Sequence, residues 1–256
     1  MHNTAASSTT FVVDAGRLLW MVFLFCLIFE VGLVYLDLTV NWQRGSDSGP
    51  IRRLFNITRE DGLASWFAVT QTVLVALTLW SVFAITCKQG ASALRRIGWL
   101  FLALLFTFMA IDDGALIHER LGSAFQQSQG IGLFPSYAWQ MVVAPFFVIA
   151  GILMALFLWR ELPRPVDRWR VTAALGCLAV AVAMDFVEGM DDGYRWLIDA
   201  FGWGNEVIRH FSKAIEEFIE MLAMSILLIT FLGYIANASG AIALQFVSSA
   251  RSAASD

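Results

Sequence analysis

The sequence predicts an all-α polytopic membrane protein, a bundle of six transmembrane helices. Three observations carry this reading. Of the 256 residues, 58% are hydrophobic and only 15% are charged, whereas ordinary soluble domains are about 45–50% apolar and about 25% charged. Several stretches run without a charged residue for about the 20 residues that a helix needs to cross the hydrocarbon. Tryptophans and short basic connections flank those stretches, as at a membrane interface. The same numbers exclude a disordered chain, which requires low hydrophobicity and high charge. A net charge of −4 without a Lys/Arg stripe excludes nucleic acid as a partner. The partner implied by composition is the lipid bilayer.

Residues 1–16 read as a polar, Ser/Thr-rich tail. The first helix is expected over about 17–40, interrupted by Glu30 and Asp37. It is long and lacks a small-residue cleavage site, so it reads as a retained helix and not as a signal peptide. The connection 41–62 carries Gly45, Gly49 and Pro50. Its segment Ile51-Arg52-Arg53-Leu54-Phe55 suits a short amphipathic turn at the interface. Thr58 and Asp61 are spaced as a variant capping box opening the second helix, 63–87, which contains no charge before its end.

The third helix is expected over 96–119, apolar from Ile97 to Ile111 and then acidic from Asp112. The fourth is expected over 136–159, the fifth over 170–190 and the sixth over 211–236. Residues 237–256 form a small-residue tail, and 17–236 form one membrane domain. Cys26, Cys87 and Cys177 make no Cys-x-x-Cys pair, so packing is expected of them and not a disulfide or thiolate site. The short connections after the second and fourth helices concentrate Lys88, Arg95, Arg96, Arg160, Arg164, Arg168 and Arg170. By the positive-inside bias, that side and both termini are cytoplasmic.

This orientation aligns the intramembrane acids. The third helix ends at Asp112-Asp113 and His118-Glu119. The fifth ends through Asp185, Glu188, Asp191 and Asp192. The sixth, running back, begins near His210 and Lys213 and continues through Glu216, Glu217 and Glu220. All three groups fall at one membrane level toward the outer face, with Glu30 and Asp37 in the outer half of the first helix. Residues three, four and seven apart share a helix face. Asp112 and Glu119 form one such row, Asp185, Glu188 and Asp192 a second, and His210, Lys213, Glu217 and Glu220 a third.

Charged groups in the bilayer cost about 2.5–3.5 kcal/mol each on insertion scales and are functional by default. Arg120, Arg209 and Lys213 are too few to neutralise so many acids, so protons or metal ions must balance them. Carboxylates with histidine and no cysteine suit Fe, Mn or Zn. The expected ligands are Asp112, His118, Glu119, Glu188, His210, Glu217 and Glu220, for one or two metal ions per chain. Glu216 and Asp185 are the expected proton carriers. Each element also has an ordinary reading: His118 as an interfacial histidine, His210 as a loop residue before the sixth helix, Lys213 and Glu217 as a helix ion pair.

At Leu54-Phe55-Asn56 to Ser65-Trp66-Phe67, at Asp112-Asp113 to His118-Glu119, and at Glu216-Glu217-Phe218-Ile219-Glu220, the chain resembles a group of uncharacterised bacterial multi-spanning membrane proteins. Their pattern is an acidic pair, four residues, His-Glu, and later Glu-Glu-x-x-Glu. The resemblance implies a bacterial inner-membrane protein and carries no activity with it. Asp113 stands where that pattern more often has Glu.

The leading expectation is a metal-dependent membrane enzyme, an oxidoreductase or hydrolase, acting on a lipid-soluble or membrane-adjacent substrate. The alternative is a divalent-cation or proton transporter or channel using the same acids. Against it, the inner helix halves carry almost no ionisable residue. The third reading is a structural subunit of a membrane complex, which expects a partner subunit or a homo-oligomer.

Overall fold

The structure, a computed structural model, describes residues 14–118, 120–122, 124, 144–190 and 193–239. All regular elements among them are helices. Helix α1 spans Ala15–Leu36 and is capped by Asp14, whose carboxylate accepts the Arg17 N–H at 2.8 Å. The chain continues directly into a π-helical turn, Asp37–Trp42. The interface segment forms α2, Gly49–Phe55, with Pro50 in its first turn. Then come α3 (Leu63–Lys88), α4 (Ala93–Ala115), α5 (Ala144–Glu161), α6 (Pro165–Gly189), α7 (Arg195–Phe201) and α8 (Asn205–Ser239).

Among the described residues, five helices are long and apolar enough to cross a membrane: α1 with its π turn, α3, α4, α6 and α8. The expected fourth span is described only from Ala144 onward, as the apolar helix α5; its first part, 136–143, lies outside the described residues. Several expected boundaries shift for local reasons. Pro165 opens α6 earlier than residue 170, where a missing N–H is tolerated. Helix α8 begins at Asn205, so His210 lies within the helix and not in a preceding loop.

The capping box does not form. Thr58 bonds to Asn56 at 2.9 Å, and Gly62 precedes α3 without a side-chain cap. Asp61 instead binds two arginines of this connection, accepting from Arg59 Nε at 2.8 Å and from Arg53 Nε at 2.9 Å. Those two guanidinium groups, Arg59 first, hold its carboxyl well below the usual carboxylate range.

Helix α8 is the axis of the bundle. At about 1.5 Å per residue it is about 52 Å long, and α6, α3 and α1 pack against it. Helix α3 pairs along its length with α4, while α5 rests on α6 and α4. The core between them contains Leu79, Val82, Trp99, Leu102, Leu158, Leu227 and Phe231, all fully enclosed. Gly98 lets the Phe157 side chain of α5 pack tightly on α4, since a Cβ there would stand 2.1 Å from the Phe157 ring. The outward side is apolar as well: Trp20, Phe25 and Ile28 of α1 are 63%, 64% and 70% exposed. A contiguous apolar face of this kind suits lipid better than water.

The two ends differ. At one end Arg95 of α4 pairs with Glu161 of α5. Tyr234 Oη of α8 donates to that carboxylate at 2.5 Å and accepts from Arg95 at 2.5 Å. Asp167 there binds both Arg164 and Arg170. The opposite end carries the acids and histidines.

Candidate acid and histidine site

The π turn sets the first part of the site. Such turns add one residue per turn and recur at functional positions. Here the turn holds Asp37, which is buried and accepts three hydrogen bonds. Asn41 Nδ2 donates at 2.9 Å and the Ile57 backbone N–H at 3.2 Å, both to Oδ1. Oδ2 lies 2.8 Å from Nε2 of His210 on α8. The imidazole is stacked on Trp42, with ring centroids 4.6 Å apart. His210 is thus fixed by a carboxylate on one nitrogen and by an indole on its face.

The second part lies at the end of α4. Leu116 ends that helix in the left-handed region, φ 54°, a strained conformation for a leucine of the kind that persists at functional sites. The reversal returns the chain onto the last turn. Asp112 Oδ1 accepts the His118 N–H at 2.8 Å, and Oδ2 lies 2.9 Å from His118 Nδ1. One buried carboxylate therefore fixes both the backbone and the ring of His118, as the carboxylates behind ligating or general-base histidines do.

The third part is built on α8 and α6. Lys213 Nζ donates to Glu216 Oε1 at 2.7 Å and lies 3.7 Å from Glu217 and 4.0 Å from Asp185 of α6. Glu188, one turn after Asp185, is an electrostatic neighbour of the same lysine. Tyr194, before α7, closes this region and shares a 2.8 Å hydrogen bond with Ser212. Burial pushes its phenol up, and the nearby Glu188 and Glu216 carboxylates push it the same way. Gly193 is required for that turn, since a Cβ would stand 1.9 Å from the Val187 carbonyl oxygen. Glu188 Oε2 and Glu216 Oε2 are buried and have no hydrogen-bond donor among the described residues.

A cleft of about 820 Å³ opens between the α2–α3 connection and the end of α4. Arg59, Asp61, Ser65, Trp66 and Asp113 line it. Asp113 sits within electrostatic reach of Glu217 and Glu220 on α8. The cleft therefore borders the acid-bearing face of α8.

The expected site residues are thus distributed among three places. Asp112 and His118 come together. Glu188, Asp185, Glu216 and Glu217 gather about Lys213, with Glu220 beside Glu217. His210 meets Asp37 and not His118. Glu119 and Asp192 lie outside the described residues. Among the described residues, no group of three or more His, Cys, Asp or Glu converges to hold a metal ion. The sequence signalled Lys213 as a member of the His210 row, as a counter-charge and as a helix pair with Glu217, but did not bring Asp185 of α6 to it. It put Asp37 and His210 toward the same end of the bundle but did not join them.

One polar group was missed entirely. Gln71 of α3 and Ser225 of α8 meet Glu30 of α1 in the middle of the bundle. The available signal was a lone Gln and a lone Ser within otherwise apolar runs.

No curated protein and no solved structure matches the chain. A family model does match, over residues 21–235, and the chain belongs to that family, described as a domain of unknown function (DUF8692).

Proposed function

We propose that the chain is a six-span protein of a bacterial inner membrane, with both termini cytoplasmic. Its acid and histidine end serves as the outward-facing site of a metal-dependent enzyme. The observation that supports this best is the pair of buried, donorless carboxylate oxygens, Glu188 Oε2 and Glu216 Oε2. They share Lys213, Asp185 and Tyr194 as neighbours. Lys213, with Arg209 also within electrostatic reach of Glu188, faces Glu188, Glu216 and Glu217, and two carboxylate oxygens remain as acceptors for a further cation. The acceptors there are carboxylate oxygens, which suit Mn best of the three metals expected from the sequence, Fe, Mn and Zn.

Glu188 and Glu216, through those two oxygens, would supply two of the ion's ligands, and Lewis-acid or redox chemistry is what it would supply. Asp112 orients His118, so that imidazole suits general-base or ligand duty. Asp185, beside Lys213, suits proton transfer. The cleft beside Asp113 is within the range of about 300–1,000 Å³ typical of small-molecule sites. Its Trp66 rim sits where a lipid-soluble or membrane-adjacent substrate would enter.

A cation or proton pathway through the bundle is the weaker reading. Ser225 and Tyr234 stand about 13.5 Å apart along α8, and the buried Thr230 between them donates its hydroxyl to the Ile226 carbonyl of the same helix at 2.7 Å. Between them Leu227 and Phe231 are fully enclosed and pack with Trp99 and Leu102.

The test is elemental analysis of detergent-purified protein beside a Glu188→Gln/Glu216→Gln variant. Near-stoichiometric Fe, Mn or Zn is expected in the parent and not in a variant that keeps its unfolding transition. No metal in either would contradict the reading.

A further inference from the structure

Glu30 is wholly buried near the middle of α1. Its Oε1 accepts two hydrogen bonds, from Gln71 Nε2 at 2.8 Å and from Ser225 Oγ at 2.6 Å. Gln71 Nε2 also donates to Ser225 Oγ at 2.8 Å, so both amide hydrogens and the hydroxyl hydrogen are committed. Two acceptors are left over, Glu30 Oε2 and Gln71 Oε1. Both are buried and neither has a donor among the described residues.

This asymmetry has a chemical meaning. An ionised carboxylate divides its charge between two equivalent oxygens, and a bare buried one is costly. A neutral carboxylic acid has one carbonyl oxygen, which accepts, and one hydroxyl oxygen, which donates. The pattern found matches the acid: every donor goes to Oε1, none goes to Oε2, and an acceptor amide oxygen lies on the same residue that donates to Oε1. No arginine, lysine or histidine hydrogen-bonds to any of the three side chains among the described residues. The titratable neighbour is Cys26, one turn earlier on α1 and itself buried. A metal ion is the poorer occupant, because a cation of this kind takes six or more oxygens and two are on offer.

We propose that Glu30 is a membrane-embedded proton-binding site, holding one proton on Oε2 with the Gln71 amide oxygen as its acceptor. The inference stands apart from the metal reading, since it uses none of the residues around Lys213. It leaves α1 and the π turn after it with two buried acids, seven residues apart: Asp37 engaged with His210, and Glu30 engaged with a proton deeper in the bundle.

Glu30→Gln tests it, because the glutamine amide reproduces the acid, with an oxygen to accept and an N–H to donate. In the full-length protein, infrared difference spectra between parent and Glu30→Gln should show a protonated-carboxyl C=O band that the variant lacks and that shifts in D2O. The variant should also unfold within about a degree of the parent. Absence of a Glu30-dependent band would overturn the proposal. So would a sodium-dependent gain in the parent's stability, not reproduced by choline and abolished in Glu30→Gln, because it would put a cation in place of the proton.

Discussion

Asp37 and His210 are 173 residues apart in the chain, and their side chains meet at 2.8 Å. This contact joins the π turn after α1 to the start of α8 and fixes one end of the bundle. Asp37 also satisfies the Ile57 N–H, so the same carboxylate ties down the connection before α3.

Asp37→Ala removes the acceptor for three donors at a buried position. The loss should be about 2–4 kcal/mol, in line with breaking a buried charge-assisted network. His210→Phe keeps an aromatic face on Trp42 and removes one hydrogen bond, so it should cost less. Thermal unfolding of the two variants in detergent orders them, and equal effects would contradict the assignment.

Lys213→Met removes the cation that Glu216, Glu217 and Asp185 approach. Leaving the buried Glu216 carboxylate without that partner should cost about 3–5 kcal/mol. Adding Glu216→Gln removes the closest carboxylate and should recover about 1–2 kcal/mol, within the usual range of coupling between contacting groups. Additive single effects would mean that the contact carries no weight.

Gly98→Ala drives a Cβ into the Phe157 ring. Overpacking of this kind costs about 1–3 kcal/mol. Phe157→Ala introduced in the same chain relieves the clash, so the double variant should be more stable than the sum of the two single losses predicts. This reads the α4–α5 contact directly.

Asp61 gives a pH signature. Arg59 and Arg53 hold its folded carboxyl below the ordinary value, so the native state binds that proton more weakly than the unfolded chain does. Its contribution is present above the ordinary aspartate range, about pH 4, and is lost as the pH falls further. Exposure keeps the effect small. The unfolding midpoint of the parent should therefore exceed that of Asp61→Asn at about pH 6 and converge on it at the acid end.

Helix existence was legible wherever an apolar run was long, as in α3, α6 and α8. Helix starts were less so. Thr58 and Asp61 have capping-box spacing, but two arginines within reach outcompete a backbone N–H for the Asp61 carboxylate. The i, i+3 and i+4 spacing of Lys213, Glu216 and Glu217 was readable on one helix. The approach of Asp185 from α6 and of Asp37 from α1 depends on how the helices pack, which no local pattern encodes. Gln71 and Ser225 escaped notice because one uncharged polar residue does not interrupt an apolar run. Their meaning appears only when α1, α3 and α8 bring them to Glu30.

The central claim is that the acid end of the bundle takes a metal ion. The most direct measurement is the thermal stability of metal-stripped protein titrated with Mn²⁺, Fe²⁺ and Zn²⁺, beside Glu188→Gln/Glu216→Gln. Binding to the native state alone stabilises by about 2.7 kcal/mol at a hundredfold excess over Kd. A saturable gain of that order, for at least one of the three ions and abolished in the variant, is the predicted result. Identical, flat titrations in both proteins would contradict the account.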